Sequence, residues 1–195
     1  MFKIPTRILK NVSACTNDKI RVALQATCFD FDEKKKELSI VATNAQVLIV
    51  YTMTIEQDDI EFCKKWFSDN HAYFIPQEVL KSKSNYVFCN EINGMIAMEG
   101  VILKELDGAY AMWQAILPKN GTDKATAYCG FNKDLIKIAD KAWGFTGGNS
   151  IMDTRPDYVL GAGDEYLSPH IWKDDWAAIK KTLILMPLRL DNRNN

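Results

Sequence analysis

The stretch at residues 4–10, IPTRILK, decides the fold because the chain uses it again. A second copy, IPQEVLK, lies at residues 75–81, and a looser third copy, FNKDLIK, lies at residues 131–137. Each copy combines polar or charged residues with an aliphatic pair and a final lysine. A pattern that recurs at intervals of this length indicates that one structural unit is repeated along the chain.

Each copy carries the signals of a helix start. Pro5 and Pro76 suit the first turn of a helix, where the N–H group that proline lacks has no intrahelical partner. Asn132 can cap the third helix, because its side-chain oxygen can accept a hydrogen bond from a free backbone N–H. The repeat therefore predicts three helices, near residues 5–15, 76–84 and 132–145.

Strand-like sequence follows each predicted helix. Residues 22–55 contain alternating and β-branched runs around the charged turn DEKKK, and residues 86–106 contain two such runs around Asn93-Gly94, a preferred hairpin pair. After the third helix, residues 157–190 are again strand-like. The sequence therefore predicts an α+β protein of three units, each a helix followed by an antiparallel β-meander. The segments 56–72 and 118–126 are expected to link the units.

The composition is that of an ordinary globular protein. Hydrophobic residues make up 47% of the 195 residues and charged residues 25%. The formal net charge of −1 predicts no overall attraction to nucleic acid, but it does not exclude a local basic patch. The five widely spaced cysteines form no CxxC pair, which predicts free thiols in a reducing cytoplasm. We expect a cytoplasmic protein, because no signal peptide or membrane-spanning run is evident.

No residue pattern indicates catalysis or a bound cofactor. His71 lies in a polar segment and is expected at the surface. His170 lies among acidic residues whose spacing matches neither zinc nor calcium ligands, so a solvated acidic turn is the preferred interpretation. The glycine-rich segment 144–149 follows a predicted helix, whereas a phosphate-binding loop precedes one. The sequence therefore predicts that the protein is not an enzyme and binds no metal or cofactor.

Basic side chains lie on the predicted exposed sides of the helices. In the third helix, lysines recur four residues apart, which places them on one face. From these residues alone, two interpretations stay open: an ordinary solvated face, or a surface that contacts DNA phosphates without reading bases. The residues are Arg7, Lys10, Lys81, Lys133, Lys137 and Lys141, with Lys83 as a further candidate.

Several segments, in the same order, resemble the bacterial DNA sliding clamp, the beta subunit of DNA polymerase III. KIRVALQATCFDFD and LSIVATNAQVLIV look like the family's strand and its VATDGHRLAV hairpin. FIPQEVLK looks like the start of the second half of a clamp domain. LKELDGAYAMWQAILPKN resembles the family's closing strand and linker, and LILMPLRL resembles its C-terminal MPMRL. Together these segments span nearly the whole chain.

The resemblance implies a DNA-clamp-like fold. In that family each domain has two helix-plus-meander halves, the helices line the hole of a ring and face DNA, and the sheets form the outer wall. Residues 1–118 would form one complete clamp-like domain, with a linker at about residues 56–72 between its half-domains. Residues 119–195 would form a further half-domain with the C-terminal MPLRL strand. Because half-domains pair in the family, the third should pair with another chain or be covered in another way.

The resemblance further implies a non-catalytic, DNA-associated protein that acts as a processivity or tethering factor for replication or repair proteins. Its DNA-binding residues would be Arg7, Lys10, Lys81, Lys133, Lys137 and Lys141, which would contact double-stranded DNA independently of its sequence. The protein is expected to form a homo-oligomer and to bind no membrane. The alternative is a clamp-derived adaptor or decoy that binds protein partners and does not encircle DNA.

The family also binds short linear motifs of polymerases and repair proteins, in a pocket between its last two domains. In this chain, Asn44-Ala45-Gln46-Val47 replaces the family's Asp-Gly-His-Arg, so polar contacts from histidine and arginine are absent. The apolar part of the pocket is expected to remain. Its wall would comprise Thr43, Leu48, Leu117, Pro118, Met186, Pro187 and Leu188.

Overall fold

The computed structural model describes residues 1–115, 117, 131–145, 149–154, 156–159, 169–176 and 178–186. The helices in this part of the chain are α1 (Thr6–Val12), α2 (Ile60–Phe67), α3 (Gln77–Leu80) and α4 (Lys133–Trp143). The strands are β1 (Phe2–Pro5), β2 (Thr27–Asp32), β3 (Glu37–Thr43), β4 (Val47–Thr54), β5 (His71–Phe74), β6 (Tyr86–Ile92), β7 (Met95–Met98), β8 (Val101–Ile102), β9 (Lys104–Glu105), β10 (Tyr158–Val159), β11 (His170–Trp176) and β12 (Ile179–Leu185).

The predicted helices are present, although their lengths differ. α1 continues into the 3₁₀ turn Ser13–Cys15, so the two together cover most of the predicted span. α3 has only four residues, because the serine-rich sequence that follows favours turns over helix. α4 begins as predicted, since the Asn132 side chain accepts a hydrogen bond from the Asp134 N–H at 2.8 Å. Gly144 ends this helix in the left-handed conformation, with φ of 90°.

The segment at residues 56–72, expected as a link, contains α2 and the start of β5. Ile60, Cys63 and Phe67 are buried on one side of α2. The Phe67 ring stacks on Phe29 of β2, with ring centroids 4.9 Å apart. Apolar residues three and four positions apart are the helical signal here, but the charged residues between them give the segment the composition of a linker.

In both sheets, strands of the first unit pair with strands of the second unit. The four-stranded sheet has the order β1-β6-β7-β8, and the eight-stranded sheet has the order β10-β11-β12-β4-β3-β2-β5-β9. β1, from the first unit, therefore pairs with the meander of the second unit. β5, from the second unit, pairs with the meander of the first. This exchange of leading strands makes the first two units one packed body.

The third unit packs on the first within the same chain. β12 pairs with β4 along its whole length, from Ile179 opposite Met53 to Leu185 opposite Val47. α4 lies beside α1 and against β4 and β12. The described parts of the third segment, α4 and β12, therefore pack against α1 and β4 of the same chain.

The eight-stranded sheet is buried on both faces, because successive residues of a strand point to opposite sides. One face carries Ile40 and Ile49 and packs against α1, α2 and α4 in the larger core cluster. The other face carries Val41 and Leu48, in a smaller cluster covered by the segment around Tyr110 and Trp113. The helices and this covering segment therefore lie on opposite sides of the sheet.

His170 lies in the core, so the expectation of a solvated turn is wrong for this residue. It is the first residue of β11, is 2% exposed, and packs edge-on against Phe131 with ring centroids 5.2 Å apart. The neighbouring Asp174 and Asp175 are exposed on the same strand. The reason is that the first half of β11 is covered, whereas its second half reaches solvent.

Candidate nucleic-acid interface

A groove of about 820 Å³ lies between α1, α4 and the loop that precedes β6. Its basic lining residues are Arg7, Lys10, Lys83, Lys137 and Lys141. None of the other described residues that line it is Asp or Glu. A concave surface lined by one sign of charge concentrates the electrostatic potential, so this groove attracts anions even though the chain as a whole is close to neutral.

The groove brings together Arg7 and Lys10 of α1 with Lys137 and Lys141 of α4, four of the residues that the sequence indicates for DNA contact. These come from units that are far apart in sequence, and the packing of α4 beside α1 makes them neighbours. Lys83 also lines the groove; its sequence signal is its position directly after the second repeat copy.

Lys81 and Lys133 do not line the groove. Lys133 is the first residue of α4, and helix geometry puts its Cα about 12 Å along the axis from that of Lys141. Lys81 follows the short helix α3 and is exposed. Both residues are therefore at the surface, but the lining of the groove does not include them.

The two basic residues of α1 are oriented by backbone carbonyl groups. Arg7 donates from Nη2 to Gly144 O at 3.0 Å, and Lys10 donates from Nζ to Ser82 O at 2.7 Å. A guanidinium has five N–H donors and an ammonium has three. Each side chain is thus held at the groove wall with further donors free to contact an anion.

The lysines of α4 are less restrained. Lys137 lies 3.1 Å from Asp134, but the two side chains are 62% and 81% exposed, and exposed pairs of this kind stabilise a protein by only about 0–1 kcal/mol. The ammonium groups of Lys141 and Lys83 have no ion-pair partner among the described residues. These three side chains can therefore contact a phosphate without losing a strong interaction.

A hydrogen-bond chain joins the two helices to the sheet below the groove. Asn11 donates to the Tyr51 hydroxyl at 2.8 Å, and that hydroxyl donates to Ala142 O at 2.8 Å. Burial raises the pKa of Tyr51 to about 12, so the hydroxyl keeps its proton at neutral pH. The chain of bonds fixes α1 and α4 relative to β4, which keeps the basic residues in position.

Gly144 permits the close approach of the two helices. A Cβ atom at this position would lie 2.7 Å from Asn11 Nδ2 and 3.1 Å from Arg7 Nη2. Its φ of 90° is also a conformation that other residues rarely adopt. Glycine is thus required both for the helix end and for the position of Arg7.

One polar atom in the lining of the groove has no partner. Thr6 is 3% exposed, and its Oγ1 forms no hydrogen bond with the described residues. A buried hydroxyl without a partner is energetically costly.

Of the predicted peptide-pocket residues, Thr43, Leu48 and Met186 lie at the end of the eight-stranded sheet where β3 turns into β4, and none of these three lines the groove. Thr43 is paired with Leu48 in the register of β3 and β4, and Met186 follows β12 and donates its N–H to Gln46 O at 2.9 Å. Leu117 packs against the smaller core cluster, which contains Leu48. Met186 is 37% exposed, whereas Leu48 is 4% exposed. Pro118, Pro187 and Leu188 lie outside the described residues.

The 44–47 segment forms a tight turn beside these residues. The Thr43 hydroxyl donates to Val47 O at 2.9 Å, and the Asn44 side chain accepts from the N–H groups of Gln46 and Val47 at 3.0 and 2.8 Å. Ala45 adopts a φ of 71°. The side chain of Asn44 is therefore used to close the turn, and the only exposed polar side chain in this segment is that of Gln46.

Other site chemistry is limited in the described part of the chain. It contains no cluster of three or more His, Cys, Asp or Glu side chains that could hold a metal ion. Its cysteines, Cys15, Cys28, Cys63 and Cys89, are buried free thiols, and burial raises their pKa above the usual range. None of the helices described is long and apolar enough to cross a membrane.

Comparison with known proteins identifies the architecture. No protein-family profile and no curated sequence matches the chain. Its structure is similar to the beta sliding clamp of C. crescentus, with a TM-score of 0.60 over 96% of this chain and 65% of that one, at 14% sequence identity. The chain has the sliding-clamp fold. The sliding clamp of Bartonella birtlesii gives a TM-score of 0.59 over 97% of this chain and 66% of that one, at 16% identity.

The sliding-clamp fold confirms the resemblance and the α+β class that the sequence predicts. A third clamp, from Pseudomonas aeruginosa, gives a TM-score of 0.53 over 97% of this chain at 14% identity. The chain spans 65% of the length of the C. crescentus clamp and 66% of the other two. At these identities the likeness is one of fold, so the function has to be argued from the groove.

Proposed function

We propose that the protein is a non-catalytic, clamp-like factor that associates with double-stranded DNA and tethers replication or repair proteins to it. The observation that carries the proposal is the convergence of Arg7, Lys10, Lys83, Lys137 and Lys141 in one groove whose described lining residues include no carboxylate. The groove is formed by α1 and α4, and the helices are the elements that the clamp resemblance assigns to DNA.

The chemistry of the groove favours contact with phosphates over the reading of bases. Lysine and arginine on exposed helix faces neutralise phosphates and release counterions, which gives affinity without sequence preference. Exposed aromatic side chains for base stacking are absent from the described lining, apart from the half-buried Phe145. We therefore expect the duplex to be held along its backbone.

We further propose that copies of the chain assemble around the duplex. Among the strands that the structure describes, the four-stranded sheet ends in β1 and β8, and the eight-stranded sheet ends in β10 and β9. Edge strands expose unpaired backbone groups that can pair with another chain. A homo-oligomer built through these edges would enclose DNA, so that individual phosphate contacts could be weak.

The tethering part of the proposal rests on the surface near Met186. Met186 is exposed next to the turn between β3 and β4, where its N–H bonds to Gln46 O, and Thr43 pairs with Leu48 beside that turn. Leu117 packs against the cluster that contains Leu48. Methionine adapts its shape to different partners, so this surface is suited to a short apolar peptide. In the proposal, Pro118, Pro187 and Leu188 complete its wall.

Retention on DNA tests the clamp-like function. The wild-type protein is incubated with a nicked circular plasmid and with the same plasmid linearised, and bound protein is separated by gel filtration, with the oligomer size measured by light scattering. We expect an oligomer whose retention is greater on the circle. The double variant Lys137→Glu, Lys141→Glu should lose retention, whereas Lys34→Glu, in the turn between β2 and β3, should keep it. A monomer with equal, lysine-independent retention on both DNAs would refute the proposal.

The alternative, an adaptor that does not encircle DNA, is favoured by the same exposed Met186. A fluorescent peptide carrying a clamp-binding motif distinguishes the two functions when titrated against wild type and Met186→Ala. Peptide binding that Met186→Ala abolishes, in a monomer that does not bind DNA, would support the adaptor. Peptide binding together with retention on circular DNA would support the tethering clamp.

A further inference from the structure

A second cavity, of about 420 Å³, adjoins the basic groove. It is lined by residues of α1, β4, α4, β11 and β12. Arg7 and Asn11 line both spaces, so the cavity opens beside the groove along α1. Its volume lies in the range of about 300–1,000 Å³ that is typical of small-molecule sites.

The inner wall of this cavity is apolar and aromatic. Ile8, Tyr51 and Trp143 line it and are buried, at 3%, 5% and 7% exposure. Pro5 and Ile179 add half-buried apolar surface. Flat aromatic and aliphatic walls of this kind suit a planar ring, because aromatic rings stack on one another and bury a large area.

The rim of the cavity is polar and carries more positive than negative charge. Lys181 Nζ lies 4.2 Å from the centroid of the Trp143 ring and 3.0 Å from Asp174 Oδ2. Among the described lining residues, the Asp174 carboxylate balances Lys181, which leaves the guanidinium of Arg7 as the remaining charge at the rim. A ligand with a planar ring and an adjacent anionic group would match both the wall and the rim.

We propose that the cavity holds one unpaired nucleobase of a DNA strand whose phosphates lie in the groove. The proposal rests on the proposed DNA binding and adds a preference for unpaired nucleotides. A base in a duplex is stacked and paired and cannot enter, whereas a base in a single-stranded tail can turn away from the backbone. Its phosphate would then contact Arg7, which lines both spaces.

The entering base would displace the Lys181 ammonium from the face of the Trp143 ring. The Lys181 ammonium lies over this ring, 4.2 Å from its centroid. The base takes its place on the ring, and the ammonium keeps its ion pair with Asp174. The Asn11 side chain, which donates one N–H to Tyr51, retains an oxygen and a second N–H for the edge of the base.

Two tailed duplexes test the proposal. Both carry a single-stranded tail of the same length, but one tail is abasic, so the phosphates are equal and only the bases differ. We expect the wild-type protein to bind the duplex with the normal tail about tenfold more tightly, as stacking of one base on an aromatic ring would give.

Matched isoleucine substitutions locate the effect. Ile179→Trp fills the cavity, so this variant should bind the duplexes with the normal and the abasic tail about equally tightly. Its affinity for a blunt duplex should equal that of the wild-type protein. Ile102→Trp, the same change at an exposed position of β8, should leave the preference as in wild type. If Ile179→Trp does not fold by circular dichroism, the smaller filling Ile179→Phe replaces it.

The outcomes separate this inference from the proposed function. Equal affinity of the wild-type protein for the two tailed duplexes, with lysine-dependent binding of the blunt duplex, would overturn the base site and leave DNA binding intact. A tail preference that survives in the filled variant would overturn its location in this cavity. Failure to bind any of the three DNAs would overturn both.

Discussion

Replacing Lys141 with alanine tests directly whether the groove contacts DNA phosphates. Lys141 lines the groove from the exposed face of α4. Lys137, one turn earlier, forms an ion pair with Asp134, with 3.1 Å between Nζ and Oδ1. The Lys141 ammonium has no acidic partner among the described residues. Of the lysines of α4, Lys141 is therefore the one whose loss should change DNA binding without disturbing an ion pair.

The expected magnitude follows from counterion release. Each phosphate that a protein neutralises on duplex DNA adds about −0.9 to the slope of log K against log salt concentration. If all five basic residues of the groove are engaged, the wild-type slope should be about −4.5. Lys141→Ala should reduce its magnitude by about one. Binding should weaken to a similar extent for unrelated sequences, because phosphate contacts carry no sequence information.

Fluorescence anisotropy with two labelled duplexes of unrelated sequence, titrated between about 50 and 200 mM salt, measures these slopes. Lys34→Ala is the matched control, because Lys34 is an exposed lysine in the turn between β2 and β3. The free energy of unfolding of each variant should lie within about 0.5 kcal/mol of the wild-type value, as is usual for surface substitutions. An unchanged slope for Lys141→Ala, or an equal reduction for Lys34→Ala, would refute the assignment of the groove.

Three further substitutions test the structure that supports the groove. Phe67→Ala should lower the free energy of unfolding by about 3–5 kcal/mol, because its ring is fully buried against Phe29; a loss below about 1 kcal/mol in urea denaturation would contradict the core packing of α2. Asn132→Ala should cost about 1 kcal/mol through loss of the cap on Asp134 N–H, and Asn132→Asp, which can still accept that bond, should restore most of it in the same assay. Gly144→Ala should lower the melting temperature, because its φ of 90° and the 2.7 Å approach to Asn11 leave no room for a Cβ; a melting temperature equal to that of wild type would count against this helix contact.

Local features of the fold could be predicted because neighbouring residues specify them. The Asn132 cap needs only the residues that follow it. The Asn93-Gly94 turn joins β6 to β7 as predicted, and the two residues have φ of 52° and 74°, the positive values that this turn type requires. Each of the three similar segments, at residues 4–10, 75–81 and 131–137, also contains the start of a helix.

Long-range pairings could not be predicted in the same way. The exchange of β1 and β5 between sheets, and the pairing of β12 with β4, join segments far apart in the chain. No local pattern specifies which strand edge a distant strand will meet. The convergence of Lys83 with Lys141 depends on these pairings, and the sequence could therefore indicate basic helix faces but not the groove that they form.

The neighbouring sequence also does not predict which individual polar residues are buried. His170 stands among acidic residues in the sequence, yet Phe131 packs against it at the start of β11. α2 has helical spacing, but its charged residues gave the segment a linker's composition. In both cases the structure depends on contacts with residues that are distant in the sequence, and the local composition does not indicate those contacts.

We propose that duplex DNA lies in the groove between α1 and α4. Lysine acetylation followed by mass spectrometry, with and without a short duplex, measures this directly for each lysine. We expect DNA to protect Lys83, Lys137 and Lys141, and to leave Lys34 and Lys104, which lie outside the groove, equally reactive. Protection spread evenly over all these lysines, or confined to Lys34 and Lys104, would contradict the binding of DNA in this groove.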